Sequence, residues 1–552
     1  MKKLFTFVAM TVLAIGTVMA NWQPSDMDAT RLDKEGANGQ VQMKTLRTDD
    51  GKIILSWLRP ERIDGVFAYQ LHLQVFDSNG NALFGDEGII VSDKPTRSWT
   101  TDYALALAPN GDILLGYFDV RNDPDMQENN EVYLYRYTQQ GEPVWDVDGI
   151  RFPSVLVHEN AFLVEDQAPI ICVSGNNIYA AVSHNEYYME KANEDNWSPS
   201  PWFPNQQMPD SVQVNGGAWQ VVLLNDDGTM ACEAPMMVDS KMVVLQPAAD
   251  GKIYCVYDNK ELTLDAQLID ESLTNLWPEV INIEQRPLSS GMYMPTPLAQ
   301  ADGDGGLFLS YRALNDWNGY QVLNHLNANG EFIDEAASCN ARIDGDAGVA
   351  AMAIRDNKAC VAWEFDEGSA YFMDVNVMDD AGDYMWPDEN IFGVALDETE
   401  DWGFTPVKVI PQDDGWVILY GKSTSWNGAD FIVVKVNDMG AVVWSKQICE
   451  PGFKSSGFSV TYDEKYAYIF YTQEEEYDAN WDVIPGSGGM FVMCVKISDK
   501  TTAISEVDHD ASIVKTEIFT IDGKSVNQMD NGVYIVRTTD SNGNVKTSKV
   551  LH

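Results

Sequence analysis

The sequence predicts an all-β chain: a β-propeller of eight four-stranded blades, with seven blades as the alternative, followed by a small C-terminal β-sandwich-like domain. Three observations predict it. Eight short apolar runs recur at intervals of 51 to 75 residues, and seven of the eight end in Trp or Tyr: "IILSW" to Trp57, "ILLGY" to Tyr117, "IYAAV" to Val182, "IYCVY" to Tyr257, "LFLSY" to Tyr311, "CVAW" to Trp363, "VILY" to Tyr420 and "YIFY" to Tyr471. Asp-Gly or Asn-Gly turns stand just before several of these runs, at 50–51, 110–111, 250–251, 304–305 and 414–415. A second tight turn follows each of the first seven runs at a fixed place in the unit. A unit repeated at this spacing cannot bury its apolar face alone and must stack on its neighbours.

Each unit opens with a strand of small residues, as in "YALALA" (103–108), "APIICV" (168–173), "PLAQA" (297–301) and "GVAAMAI" (348–354). Small side chains suit the innermost place, where eight strands crowd around one axis. The apolar second strand fits burial on both faces. Glycine between the two strands supplies the positive φ of a tight hairpin. The third strand ends at Gly80, Gly141, Gly228, Gly330, Gly382 or Gly440, with Leu273 in the fourth unit. Four residues later stand Phe84, Trp145, Cys232, Asp334, Trp386 and Trp444, and Trp277 follows Leu273. A ring at that point is expected to dock onto the neighbouring blade. This strand, turn-Gly, Trp pattern resembles the repeat of quinoprotein-type propellers, and the resemblance implies fold only. The third unit, 174–240, is long and irregular, which keeps seven blades open. The eighth unit lacks an outer strand, and residues 28–34 are expected to supply it and close the ring.

Both ends of the chain carry targeting information. Met1 to Ala20 reads as a secretory signal peptide: Lys2 and Lys3, an apolar stretch from Leu4 to Val18, and a small-residue site at Val18-Met19-Ala20. The propeller is expected over 21–500. Beyond it, residues 505–552 contain Ile518-Phe519-Thr520-Ile521-Asp522-Gly523-Lys524, Asn531-Gly532-Val533-Tyr534-Ile535-Val536-Arg537 and a turn at Ser541-Asn542-Gly543. This tail resembles the C-terminal sorting domain of the type IX secretion system of the Bacteroidetes. The resemblance implies Gly523, Gly532, Tyr534, Val536 and Arg537 as the sorting signal, the type IX machinery as partner, and passage across the outer membrane to the cell surface or the medium. An ordinary accessory domain is the alternative.

The chain carries 84 acidic and 36 basic residues, a formal charge of -48. Such a surface repels nucleic acid and excludes a DNA- or RNA-binding role. No apolar run after residue 20 is long enough to span a bilayer. Seven widely spaced cysteines (172, 232, 255, 339, 360, 449 and 494) read as buried thiols, with one or two disulfides as the alternative.

Function is expected on the face formed by the connections between second and third strands, at 59–67, 120–130, 183–218, 313–320, 364–370, 422–430 and 472–488. Binding residues collect on loops held by a rigid scaffold. The candidate ligand-binding residues are Trp99, Arg121, Trp202, Trp317, Trp402, Trp426 and Trp481. Flat rings beside carboxylates and amides suit a glycan; plugs that seat the loops on the disc are the alternative. Two functions follow: an extracellular propeller that binds a glycan or protein, or a hydrolase, most plausibly a glycosidase. The second needs a pair of carboxylates with separated pKa values. Asp123, Asp125, Glu186, Glu364, Asp366 and Glu474 are too many to choose among by sequence. No Gly-x-Ser-x-Gly elbow appears, no catalytic residue is assigned, and His184 is the only histidine in a long connection, so no His-rich metal site is expected. No cofactor is expected beyond calcium, for which the turns at 301–306 and 122–131 offer oxygen ligands.

Overall fold

The computed structural model describes residues 22, 29–33, 41–63, 66–94, 96, 102–122, 130–155, 158–193, 206–259, 263–285, 296–315, 318–333, 346–386, 393–400, 403–425, 428–448, 455–473, 488–498, 513–520, 524–526, 533–540 and 545–551. The chain falls into two compact units, Met1–Ile497 and Ser498–His552. The first is an eight-bladed propeller of four-stranded antiparallel blades. The seven-blade alternative is excluded. The irregular third unit forms a complete blade, and its irregularity is an added strand, Ser211–Asn215, on the flank of the long second strand Asn177–Lys191. In the fifth blade the outermost position is marked by Phe332 bridging to Leu326.

The first strands are innermost and touch one another around the whole ring. The second strands are buried on both faces; Ile113–Asp119 is buried at every position. The apolar cores therefore lie between blades. Leu71, Leu73 and Val75 of the first blade pack with Tyr117, Tyr133 and Tyr135 of the second. Tyr254 and Val256 of the fourth pack with Leu307 and Leu309 of the fifth. Each such side chain contributes about 1.5–3 kcal/mol when fully buried.

A repeated clamp ties blade to blade at the rim. The Trp145 Nε1 donates to the Asp226 carbonyl at 2.8 Å, Trp277 to the Ala328 carbonyl at 3.1 Å, and Trp386 to the Asp438 carbonyl at 2.9 Å. Each acceptor sits in the tight turn of the next blade, two residues before its glycine. The ring lies on that glycine: a Cβ at Gly330 would come within 2.8 Å of Trp277, and one at Gly440 within 3.0 Å of Trp386. These glycines are required by the indole as well as by their φ of about 80°. Leu273, at φ 59, confirms the logic. The third blade offers Cys232 instead of Trp, and the Leu273 side chain packs into the cluster between the third and fourth blades. The turns carry a second device absent from the sequence reading. Asp77, Asp270, Asn327, Asp379 and Asn437 each accept backbone N–H bonds from residues two and four ahead.

The ring closes as expected from its two ends. Thr30 and Arg31 pair with Val492 and Phe491 on the outer edge of the eighth blade. Leu32 N–H reaches the Met490 carbonyl at 2.8 Å, and Asp33 accepts the Met490 N–H at 3.0 Å. Trp22 lies between Phe76 of the first blade, 5.1 Å away between ring centres, and Tyr468 and Phe470 of the eighth. It thus bridges the last blade to the first, a join that the second, fourth and sixth blades make with their own rim Trp.

Cys172, Cys255, Cys360 and Cys494 are buried, Cys232 is half-buried, and all five are free thiols. Burial pushes Cys172, Cys255 and Cys494 up to about 12, so they behave as small apolar side chains. The second unit is one four-stranded antiparallel sheet among the described residues, with Ile513–Thr520 and Val533–Asp540 at its centre and Ser525–Val526 and Val545–Leu551 at its edges. Tyr534, Val536 and Arg537 lie on a central strand, where Arg537 is exposed; Gly523 and Gly532 fall outside the described residues. No described helix is long and apolar enough to cross a membrane.

Trp386→Ala removes an indole that is 5% exposed, together with its bond to the next blade. It is expected to cost about 3–5 kcal/mol of stability, read as a lower urea midpoint with the slope unchanged.

Candidate functional site

The expected loops of the functional face are in large part strands. In the first blade Ile53–Ile63 and Val66–Phe76 stay paired to the Ile63–Val66 step. The fifth blade's hairpin is paired to Asn315–Asn318 and the seventh's to Ser425–Gly428. In the third blade Asn177–Lys191 runs for 15 residues, flanked by Leu163–Gln167 and by Ser211–Asn215. The stretches 59–67, 183–218, 313–320 and 422–430 are thus hairpins in whole or part. They project past the stacked blades and keep their backbone hydrogen bonds, but they lose the apolar neighbours that make a strand legible.

Of the candidate residues, Trp99, Trp202, Trp317, Trp402, Trp426 and Trp481 lie outside the described residues, Trp317 and Trp426 on the two-residue links 316–317 and 426–427. Arg121 is described, and its bonding is internal. Its Nε reaches Asp119 Oδ1 at 2.9 Å, its Nη2 reaches Asp119 Oδ2 at 2.7 Å and Tyr135 Oη at 2.8 Å, and its Nη1 donates to the Asp148 carbonyl. The guanidinium also stacks 3.5 Å from the Tyr133 ring centre. Asp119 has no exposed surface; burial pushes its carboxyl up against the pull of Arg121, and Arg121 is held cationic well above its usual range. As placed, Arg121 pins the upper corner of the second blade.

Two carboxylate arrangements on this face escaped the sequence reading. The first centres on His184, which stands directly across from Asp166 in the strand register. Its Nδ1 lies 2.7 Å from Asp166 Oδ1 and its Nε2 3.0 Å from Glu186 Oε1. Burial would push the imidazole down, but the bonds and charges of the two carboxylates outweigh it and hold the pKa above the ordinary histidine value. The outer carboxylate oxygens take the Ser154 hydroxyl at 2.9 Å and the His158 N–H at 2.7 Å, and the His158 ring stacks on Tyr188 at 3.6 Å. The triad staples the connection from the second blade to the third blade's hairpin. With all three members within 2% of full burial, it is a structural lock. The sequence signal was the alternation His184-x-Glu186, visible only if the strand is known to continue past Ser183.

The second arrangement is Glu364, at the upper end of the sixth blade's second strand. Its Oε2 accepts the Phe404 N–H from the seventh blade. A Cβ at Gly403 would come within 2.6 Å of that oxygen and 3.0 Å of Tyr371, so only glycine leaves room for the carboxyl. Burial pushes Glu364 up to about 7; the Phe404 bond opposes this and the charge of Asp366 adds to it. Asp366, two residues on along the strand, shares its face. Burial by a neighbouring blade is a long-range effect, and no local pattern announced it. Beside this pair Lys422 is tied to Asp397 at 2.9 Å, and Tyr420 to the same carboxylate at 3.2 Å.

Among the described residues no group of three or more His, Cys, Asp and Glu is arranged to hold a metal ion. In the 301–306 turn, Asp302 Oδ1 accepts the N–H groups of Asp304 and Gly306, both at 2.8 Å, and Oδ2 lies 2.9 Å from His325 Nε2. The other calcium candidate lies mostly on 123–129, outside the described residues.

No protein-family model and no curated protein sequence matches the chain. Solved structures of similar shape include a protein of unknown function from Dyadobacter fermentans, at TM-score 0.36 and 9% identity, covering 85% of this chain and 98% of that one. An ulvan lyase bound to a -[GlcA(1-4)Rha3S]- saccharide is similar at TM-score 0.43 and 10% identity, covering 87% and 100%. An α-L-arabinanase from Penicillium chrysogenum is similar at TM-score 0.33 and 13% identity, covering 64% and 98%. At these values function must be argued from this chain's own residues.

Glu364 makes stability depend on pH in a defined sense. Its folded pKa of about 7 lies above the ordinary value of 4.5, so the folded state holds a proton that the unfolded chain has released. The contribution is present below pH 4.5 and is lost as pH rises through 7. Between pH 5 and 8 the native chain is expected to lose about 2–3 kcal/mol relative to Glu364→Gln, measured by urea unfolding of both proteins at each pH.

Proposed function

We propose that the chain is an exported propeller, placed at the cell surface or released, that binds an extracellular glycan or protein through the face bearing the extended hairpins. The observation that carries this reading is the difference between the two faces. One is built of tight turns onto which Trp145, Trp277, Trp386, Tyr179 and Tyr254 of the preceding blades donate hydrogen bonds. The other carries paired hairpins in the first, third, fifth and seventh blades that project beyond the disc. Contacting residues placed on strands are held more accurately than residues on open loops. A glycan and extracellular-protein binding screen on the full chain tests this. Trp317→Ala and Trp426→Ala are expected to remove the hit without changing the fold; a hit that survives both moves the site off these hairpins.

A hydrolase on the same face is the second reading, and Glu364 favours it. A half-buried carboxyl with a pKa near neutrality is the property of a general acid, and Asp366 supplies a carboxylate on the same strand face. In the same screen a hydrolase would release product, and Glu364→Gln would stop release while leaving binding intact.

We further propose that residues 505–552 are a type IX sorting domain, a reading supported by its order of motifs. A reporter protein joined to residues 505–552 in a Bacteroidetes host is expected to reach the outer surface. Retention in the periplasm would count against the sorting role.

A further inference from the structure

The face opposite the hairpins holds a cavity of about 640 Å³ where the first strands of the seventh, eighth and first blades reach their turns. That is the size of a small-molecule site. Arg47, at the end of the first blade's inner strand, and Gln412, at the end of the seventh's, stand on its two sides. Tyr462, Asp463, Glu464, Lys465, Tyr466 and Tyr468 come from the first hairpin of the eighth blade between them.

Asp463 organises this turn and is used up in doing so. Its Oδ1 accepts the N–H groups of Lys465 and Tyr466, both at 2.8 Å, and its Oδ2 accepts the Tyr468 hydroxyl at 3.0 Å. The tyrosine rings are thus fixed by a carboxylate that has little left to offer a ligand. Arg47 is ion-paired with Asp463 only loosely, at 3.7 Å, too far for a hydrogen bond. Lys465 has no ion pair among the described residues. Three other cations of this acidic chain are held closely by carboxylates: Arg121 by Asp119 at 2.7 Å, Arg136 by Asp112 at 2.9 Å, Lys435 by Asp414 at 2.7 Å. Arg47, with its nearest described carboxylate at 3.7 Å, is held more loosely than these and stands beside tyrosine rings.

We propose that this cavity binds an acidic sugar of one or two rings, its carboxylate on the Arg47 fork and its apolar ring face against the tyrosines. A guanidinium pairs with a planar carboxylate through two parallel bonds. The Tyr462 and Tyr466 hydroxyls and the Gln412 amide oxygen suit the sugar hydroxyls. Asp463 and Glu464 in the lining and the net negative charge of the chain oppose an anion, so affinity depends on the Arg47 fork and Lys465 and weakens with salt.

The test is titration calorimetry on the full chain with digalacturonate, and with its methyl ester as the uncharged counterpart. Digalacturonate is expected to bind, with the ester at least tenfold weaker. Arg47→Ala and Tyr466→Ala should each weaken binding at least tenfold, Arg47→Lys less, with circular dichroism and melting temperature unchanged. Lys465→Ala gives an independent variant if Arg47→Ala fails to fold. Trp317→Ala and Trp426→Ala should leave this titration untouched, which separates the cavity from the hairpin face. No heat from digalacturonate at millimolar concentration would overturn the proposal, as would equal affinity for acid and ester, or binding that survives loss of both Arg47 and Tyr466.

Discussion

The structure depends on one contact made again and again: an aromatic ring at the head of an outer strand, set on the turn of the blade that follows. A single four-stranded sheet of this chain has two apolar faces and no core of its own. The clamp fixes the angle at which the next sheet can cover it. Trp145, Trp277 and Trp386 each combine a buried ring with an indole N–H bond to a backbone carbonyl across the blade gap. The ring demands a glycine beneath it, and the glycine demands a turn at that residue. The fixed spacing of four residues between turn and Trp is therefore a geometric requirement. Where Trp is missing, at Cys232, the next turn is free to carry Leu273.

This explains what the sequence could and could not disclose. The eight second strands were legible because burial between two blades makes runs of consecutive positions apolar, as in "ILLGYF" (113–118). The clamp was legible because Trp is conspicuous and its spacing regular. The hairpins were misread as loops for the converse reason. "SHNEYYMEK" (183–191) leaves the stacked disc, so its alternation mixes acidic, amide and aromatic residues without an apolar stripe. The chemistry of the face was hidden more deeply. Asp166 meets His184 only through strand register, and the state of the Glu364 carboxyl is set by Gly403 and Phe404 of another blade. Arg121 was visible as a cation on the right face, but the buried Asp119 two residues earlier already holds it.

The two faces divide the work by backbone chemistry. On the turn face, polar side chains cross from blade to blade and seal the disc: Tyr179 reaches the Gly251 carbonyl at 2.8 Å, and Tyr254 the Gly305 carbonyl at 2.6 Å. At the eighth blade Tyr468 instead bonds to Asp463 of its own turn, beside the cavity at Arg47. On the hairpin face, ladders continue outward, so side chains there are displayed on a frame whose hydrogen bonds are already made.

The closure of the ring has a mechanical meaning. Asp33 and Met490 are 457 residues apart, and closing a loop of that length costs about 5 kcal/mol in chain entropy. A two-residue strand does not offset this by itself. The shared core of the seventh, eighth and first blades does, with Met43, Ile53 and Phe76 packed among Ile469, Phe470 and Val492. Tension applied from the two ends would nevertheless be carried first by Thr30 and Arg31, a ladder of two residues at the point of closure. Once that latch parts, each later blade has lost a neighbour and can peel away in turn. The propeller would then resist traction as a single closed band and, after one local failure, yield as a series of separate sheets.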